Sequence, residues 1–121
     1  MSFNISGGSI LTQATKLTTT GVTNLLSADK RTTILSIIAA EITGNTPTLT
    51  LELYDGTTSY YLRFAAAMTA NQVLILDSPF VLNTGWKLRA TAGTANRIDC
   101  FVNYVPPDAT ALGTFVPLGQ K

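Results

Sequence analysis

The sequence predicts an all-β protein, a single antiparallel β-sandwich or jelly roll of about seven or eight strands with extended arms at both ends. Three observations predict this fold. Short segments alternate apolar with polar residues, which is the period of a half-buried strand. Turn-forming Gly, Pro, Asn and Asp residues separate these segments. The chain has 121 residues, enough to bury one core but too few for two domains.

The first elements along the chain are weak strand patterns. Residues 1–9 are rich in Ser and Gly, so no regular structure is expected there. Residues 10–17 and 22–26 each carry a short strand-like pattern. Residues 31–43 fit either a helix or a strand, because their Ile and Leu residues also share one helical face. The β-branched residues of this segment favour a long central strand buried on both faces.

Residues 48–64 carry the clearest element, a β-hairpin with one apolar face. Asp55 and Gly56 supply the turn, because both tolerate a positive φ. A loop of two residues or of four keeps the apolar rows of both strands on one face, whereas a loop of three separates them. The expected inner rows are Leu49, Leu51 and Leu53 before the turn and Tyr60, Leu62 and Phe64 after it. The expected outer face carries Thr48, Thr50, Glu52, Tyr54, Tyr61 and Arg63.

Further strand patterns follow the hairpin. Residues 72–77 form a strand, and a connection through 80–82 leads to a turn at Asn83-Thr84-Gly85. Two more alternating segments, 86–91 and 98–104, complete the sandwich.

Both ends of the chain differ from this pattern. We expect an N-terminal arm at 1–14, a sandwich domain at 15–105 and an extended C-terminal arm at 106–121. No strand alternation or helical period organises the apolar residues of the tail, so it is either frayed or laid into a groove on another surface. The arms contribute these candidate interface residues: Phe3, Ile5, Leu112, Phe115, Val116 and Leu118.

Charged residues are scarce in this chain. They make up 12% of it, about half of the roughly 25% typical of soluble domains, while threonine occurs 20 times. Such a surface is easily buried against neighbours, so we expect a homo-oligomer or larger assembly, with a threonine-coated monomer as the alternative. The net charge of +1, with its scattered basic residues, gives no electrostatic case for nucleic acid or an anionic membrane. No apolar stretch reaches about 18 residues, and no secretory signal is expected.

Residues that carry chemistry are few. The absence of His and the single Cys exclude Ser-His-Asp and Cys-His arrangements and thiolate metal sites. Cys100 falls in a predicted strand and is expected to be a small core residue. Asp55 at the hairpin tip is first a turn residue, and a calcium ligand only as an alternative. We therefore expect no enzyme, no catalytic residue, no metal site and no cofactor.

The carboxylates allow one enzymatic alternative. Glycoside hydrolysis needs two carboxyl groups about 5–10 Å apart across a cleft. In this alternative, strand pairing would place Glu41 beside Glu52, or Asp77 beside Asp99. Solvated surface carboxylates are the favoured interpretation.

Aromatic residues on the predicted outer face are candidate contact points. Tyr54 and Tyr61, beside Arg63, suit a protein interface, a sugar, or a cross-strand pair with threonine. The low charge favours the interface. Trp86 begins an inward row, so core packing is favoured over a sugar platform.

Several segments carry a resemblance to a known family. They are Thr33-Ile-Leu-Ser-Ile-Ile-Ala-Ala-Glu-Ile-Thr-Gly-Asn45, the Leu-Tyr-Asp-Gly hairpin with its Tyr-Tyr-Leu continuation, the Val-Leu-Ile-Leu strand, Leu82-Asn-Thr-Gly-Trp-Lys-Leu-Arg-Ala-Thr-Ala92, and Asn96-Arg-Ile-Asp-Cys-Phe-Val-Asn-Tyr104. Over about residues 15 to 105, their order resembles the small β-sandwich virion proteins of tailed bacteriophages. Those proteins are capsid decoration proteins or neck and tail accessories.

The resemblance implies a structural role without catalysis. It implies first a capsid decoration (cement) subunit, with a neck, tail or baseplate accessory or a glycan-binding virion module as alternatives. The implied partners are further copies of the chain and other virion proteins such as the major capsid protein, with a host glycan as an alternative partner. The implied location is the virion, assembled in the host cytoplasm.

Overall fold

Nine β-strands form within residues 9–107, the part of the chain that the computed structural model describes. Apolar–polar alternation and short turns separate them, as a sandwich requires. The strands are β1 (Leu11–Lys16), β2 (Thr23–Ser27), β3 (Thr32–Glu41), β4 (Thr48–Tyr54), β5 (Ser59–Ala67), β6 (Val73–Leu76), β7 (Phe80–Leu82), β8 (Lys87–Ala92) and β9 (Ile98–Val105).

The strands pair as nested antiparallel hairpins. β4 pairs with β5, β3 with β6 and β7, β2 with β8, and β1 with β9. β9 also pairs with β3, and β8 with β4. Sheet A therefore has the order β1-β9-β3-β6, with β7 on β3 as well, and sheet B has the order β2-β8-β4-β5. Nested hairpins rolled into two sheets form a jelly roll, and the predicted all-β sandwich is confirmed.

The core lies between the two sheets. Its largest fully buried side chains are Leu17, Ile34, Ile37, Leu49, Leu51, Leu82, Leu88, Ile98, Val102 and Cys100. Each buried aliphatic side chain contributes about 1.5–3 kcal/mol relative to an exposed one. Cys100 is a core residue, as predicted, and its burial, with a smaller effect of the Asp99 charge, raises the pKa of its thiol to about 12.

The central strand β3 joins the pieces of sheet A. It pairs with β9 along one side and with both β6 and β7 along the other. The strand interpretation of this segment is confirmed. The prediction that both faces of this strand are buried is only partly right. Ile37 and Ala39 are buried, whereas the outward Ile38 and Ala40 are half-buried.

Two boundaries differ from the sequence prediction. The structure has nine strands within residues 9–107 rather than seven or eight, because the predicted connection at 80–82 pairs with β3 as β7. Residues 11–14, assigned to the N-terminal arm, belong to β1 and pair with β9. The rest of both proposed arms lies mainly outside the described residues.

The hairpin has the four-residue loop that was one of two predicted lengths. Tyr54 pairs with Ser59, and residues 55–58 connect them. Two bulges then disturb β5, because Leu62 and Arg63 together oppose Leu51, and one further residue is inserted opposite Thr50. A bulge of one residue changes the face on which the following side chains lie.

These bulges make two predicted positions wrong. Phe64 was expected inside, but it is 68% exposed and packs edge to face on Tyr61. Arg63 was expected on the outer face, but it lines a groove between β5 and β6. Ala65, at a φ of 46°, sits in the left-handed region that non-glycine residues rarely adopt.

Candidate functional site

Metal-ligating side chains do not cluster in the described part of the chain. No group of three or more Cys, Asp or Glu residues there is placed to hold a metal ion. No helix between residues 9 and 107 is long and apolar enough to cross a membrane.

Glu41 is buried, so its prediction as a solvated carboxylate was wrong. Its Oε1 accepts hydrogen bonds from the backbone N–H groups of Gly44 at 2.8 Å and Asn71 at 2.9 Å, and its Oε2 from that of Thr43 at 3.0 Å. Burial acts to raise the pKa of Glu41, but these hydrogen bonds and that of the Thr43 hydroxyl lower it to about 2. The carboxylate therefore ties two loops to the end of β3, which is a structural role.

Glu52 is also buried, on the outer side of sheet B. Its Oε2 accepts hydrogen bonds from Arg89 Nε at 2.9 Å, from a terminal Arg89 nitrogen, and from Ser59 Oγ at 2.9 Å. The Arg89 guanidinium lies 3.8 Å from the centre of the Tyr54 ring. The Glu52 carboxylate is engaged by Arg89 and Ser59, and Glu41 does not share this network. The alternative of a Glu41–Glu52 catalytic pair has no support.

Asp55 is committed to the hairpin turn. Its Oδ1 accepts hydrogen bonds from the backbone N–H groups of Thr57 at 2.8 Å and Thr58 at 2.7 Å. These bonds lower the pKa of the Asp55 carboxyl. Gly56 follows at a φ of 104°, which explains the glycine.

The aromatic residues do not form one platform. Tyr54 is half-buried beneath Arg89, whereas Tyr61 is exposed beside Phe64. Trp86 packs against the core, as predicted, and stacks on Tyr60 with ring centres 5.8 Å apart. No ring contact joins Trp86 to either of the other two proposed sugar-stacking residues within residues 9–107.

The candidate interface residues of the arms lie outside the described residues. This applies to the following positions: Phe3, Ile5, Leu112, Phe115, Val116 and Leu118.

An apolar row crosses the outer face of sheet A. Ala14 pairs with Phe101, Phe101 with Ile38, and Ile38 with Ile75, so the row spans four strands. Phe101 alternates with the buried residues Cys100 and Val102 and therefore points away from the core. Ala14 and Ile75 are exposed, and the other two are half-buried. The row was missed from the sequence because it exists only in the register of four strands.

Open space adjoins this row. A depression of about 230 Å³ lies on it between β1 and β9, lined by Ala14, Thr15, Lys16, Asp99 and Phe101. Lys16 and Asp99 form an ion pair of 2.7 Å at its side. The outer face of sheet A thus offers an apolar centre with one paired charge at its border, which suits a protein contact.

A second open region lies at the side of the sandwich. A groove of about 330 Å³ runs between the edge strand β5 of sheet B and the β6–β7 edge of sheet A. It is lined by Leu62, Arg63, Ile75, Leu76, Asp77, Ser78 and Phe80.

The fold and these surfaces define a β-sandwich protein whose candidate sites are surfaces for contact. Two crystal structures of a pentameric capsid protein isolated from metagenomic phage sequences are similar at 13% identity and a TM-score of 0.48. They are matched over 80% of this chain, which spans 60% and 61% of their length. The structure of infectious bursal disease virus Gx strain matches 83% of this chain and 30% of its own, at 12% identity and a TM-score of 0.46. At this degree of likeness, function has to be argued from the residues of the chain itself.

No protein-family model and no curated protein matches the sequence.

Proposed function

We propose that this chain is a structural subunit of a bacteriophage virion without enzymatic activity, and specifically a capsid decoration (cement) subunit. It stabilises the head by placing the outer faces of its sandwich against neighbouring virion proteins. The segments outside the paired strands, at 1–10 and 106–121, extend these contacts in the same proposal.

The apolar row on the outer face of sheet A carries this proposal. Contiguous apolar surface on a soluble protein is typical of surfaces that partners cover. Here Phe101 and Ile38 form its centre, and Ala14 and Ile75 form its ends. The outer strand face of a monomer does not need apolar side chains in a row, because threonine fits a strand surface at least as well.

The mechanism is the removal of this surface from water. Apolar area buried in a contact contributes about 25 cal/mol per Å². A single contact of this kind is modest, since association also costs translational and rotational freedom. Many copies on one particle raise the effective concentration of each contact, so that a weak interaction produces a stable shell.

The fold by itself does not decide among functions. Jelly rolls occur in viral capsid proteins, in lectin domains and in cupins, and a fold hosts many functions. A cupin-type metal site has no counterpart in residues 9–107, where metal-ligating side chains do not cluster. The glycan alternative has less support, because Trp86 packs against the core and stacks on Tyr60 rather than on Tyr54 or Tyr61.

The test replaces the centre of the row in the virus that encodes the chain. We expect that Phe101→Thr combined with Ile38→Thr leaves the sandwich folded but lowers the number of copies per purified particle at least about tenfold, because a contact centre is lost. Quantitative mass spectrometry of particles measures the copies, and circular dichroism of the purified chain verifies folding.

A matched control exchanges an exposed apolar residue elsewhere. Val22→Thr lies before β2, outside the sheet A row, and should leave the copy number unchanged. Normal occupancy by the folded double variant would contradict the proposal. A wild-type copy number on the scale of one tail ring, rather than of the shell, would assign the chain to the neck or tail.

A further inference from the structure

The side of the sandwich between β5 and β6 is unusually apolar for an edge. Phe64 is 68% exposed, and Val73 and Ile75 are each 55% exposed. We define the edge surface as the groove residues Arg63, Ile75 and Asp77 together with Phe64, which follows Arg63 in β5, and Val73, at the start of β6. It therefore combines exposed apolar side chains, a groove, and one charge of each sign.

The backbone presents Phe64 in this position. Ala65, which follows it, holds a φ of 46°, and its N–H donates a hydrogen bond to Thr50 Oγ1 at 2.9 Å. A left-handed alanine costs about 1–3 kcal/mol and persists only where its surroundings impose it. The edge-to-face contact with Tyr61, at 4.9 Å between ring centres, fixes the direction of the Phe64 ring. Phe64 is thus an exposed aromatic residue that contacts Tyr61, and aromatic residues often dominate the energy of protein contacts.

The two charges of the edge surface are not paired with another charge within residues 9–107. The Arg63 guanidinium donates a hydrogen bond to the carbonyl of its neighbour Leu62 at 2.8 Å, and it forms no ion pair with any residue from 9 to 107. Asp77 forms neither an ion pair nor a hydrogen bond through its carboxylate within that same part of the chain. Both nevertheless line one groove.

We infer, on the basis of the structural role proposed above, that the edge surface binds a second copy of this chain related by a two-fold axis. Arg63 of each copy pairs with Asp77 of the other, and Phe64 of each packs against the partner's apolar edge.

Charge complementarity selects a second copy as the occupant. A two-fold axis places the same patch against itself, so each residue of one subunit meets a different residue of the other. A patch with one unpaired cation and one unpaired anion satisfies both charges when it meets itself. The groove is apolar between them, so the two pairs are formed in a partly water-free place where they contribute more than exposed pairs do.

Charge reversal tests this pairing. The proposed dimer contains two pairs between position 63 of one copy and position 77 of the other. In Arg63→Asp both pairs join two aspartates, and in Asp77→Arg both pairs join two arginines. We expect each variant alone to self-associate at least about tenfold more weakly than the wild-type chain, because like charges in a contact repel. An equimolar mixture of the two variants should form a heterodimer, because every facing pair is then of opposite charge. Sedimentation velocity over a concentration series, with one variant fluorescently labelled, measures both.

Two controls complete the experiment. Lys16→Asp reverses a charge on β1, at the opposite edge of sheet A, and should leave association unchanged. Removal of residues 108–121 should also leave it unchanged, and loss of association there would assign the groove to that segment and overturn the inference.

A wild-type chain that stays monomeric, single variants that associate normally, or a mixture that forms no heterodimer would each overturn the inference as well. The measurement uses the purified chain without particles. Absence of a dimer would therefore not contradict the proposed virion role. Normal occupancy of particles by the sheet A variant would likewise not contradict the dimer.

Discussion

The buried Glu41 carboxylate holds together two loops that are far apart in the sequence. Its carboxylate accepts backbone hydrogen bonds from residues just after β3 and from Asn71, which follows 30 residues later. Gly44 and Asn71 both adopt positive φ values, of 75° and 59°, where they donate these bonds. A charged acceptor in this position is stronger than a neutral one, since charge-assisted hydrogen bonds are about twice as strong.

We predict that Glu41→Gln lowers stability at neutral pH and makes stability less sensitive to acid. The hydrogen bonds lower the folded-state pKa to about 2 from the ordinary value of 4.5. The stabilisation by the carboxylate is therefore fully present above about pH 4.5 and is lost as the pH falls towards 2. Urea denaturation between pH 7 and pH 2.5 should show wild type and variant converging at the acidic end.

The control for this prediction is Asp29→Asn. Asp29 is exposed and accepts no side-chain hydrogen bond from residues 9–107, so its removal should leave the wild-type pH profile unchanged. Parallel pH profiles for wild type and Glu41→Gln would show that the carboxylate is not the source of the effect.

The strands of sheet B are joined by a polar network on their outer side as well as by backbone pairing. Glu52 of β4 lies opposite Arg89 of β8 and opposite Tyr61 of β5. Arg89 and Ser59 both donate to the Glu52 carboxylate, so the network crosses three strands. Sheet B therefore has a charged, internally satisfied outer face, in contrast to the apolar row of sheet A.

We predict that Arg89→Met lowers the free energy of unfolding by about 3 kcal/mol, because it leaves a buried carboxylate without its partner. The double change Arg89→Met with Glu52→Met should recover most of this loss, since no buried charge then remains unpaired. Urea denaturation of the two variants measures the difference. A double variant less stable than Arg89→Met alone would show that the ion pair stabilises the sheet in its own right.

The two sheets of the molecule enclose Cys100 completely. The thiol is 0% exposed, and burial, with a smaller effect of the Asp99 charge, raises its pKa to about 12. A reagent therefore cannot reach the sulfur, and the reactive thiolate does not form at neutral pH. Cys100 lies on β9, between β1 and β3 of sheet A. Its exposure therefore requires separation of the sheets.

We predict that Cys100 reacts with a thiol reagent only in molecules that have globally unfolded. The labelling rate in rising urea should follow the unfolding free energy measured by circular dichroism. As a control, Thr12→Cys in a Cys100→Ala background places the thiol at an exposed position of β1 and should react at once. Labelling of native Cys100 well below the unfolding transition would reveal local opening of sheet A.

The sequence predicts those features whose signals lie within one strand or one turn. A hairpin loop of either two or four residues, the outward Tyr54 and Tyr61, the buried Cys100 and the packing of Trp86 against the core follow from alternation. Long-range partners were not predictable, because Arg89 lies 37 residues after Glu52. The apolar row through Phe101 depends in the same way on the register between strands.

The bulges of β5 were missed for a different reason. Glycine or asparagine usually marks such positions, but here leucine, phenylalanine and alanine occupy them. The errors at Arg63 and Phe64 both follow from this, because an inserted residue changes the face of every side chain beyond it.

The same bulges limit how the protein can aggregate. Within residues 9–107, β5 is one of the two edge strands of sheet B, and a regular edge strand is a template on which further chains add backbone to backbone without end. Two inserted residues put the outward N–H and C=O groups of β5 out of step with any straight strand. Bulges of this kind oppose the addition of a further strand, and we expect contacts at this edge to be made by side chains rather than by backbone pairing.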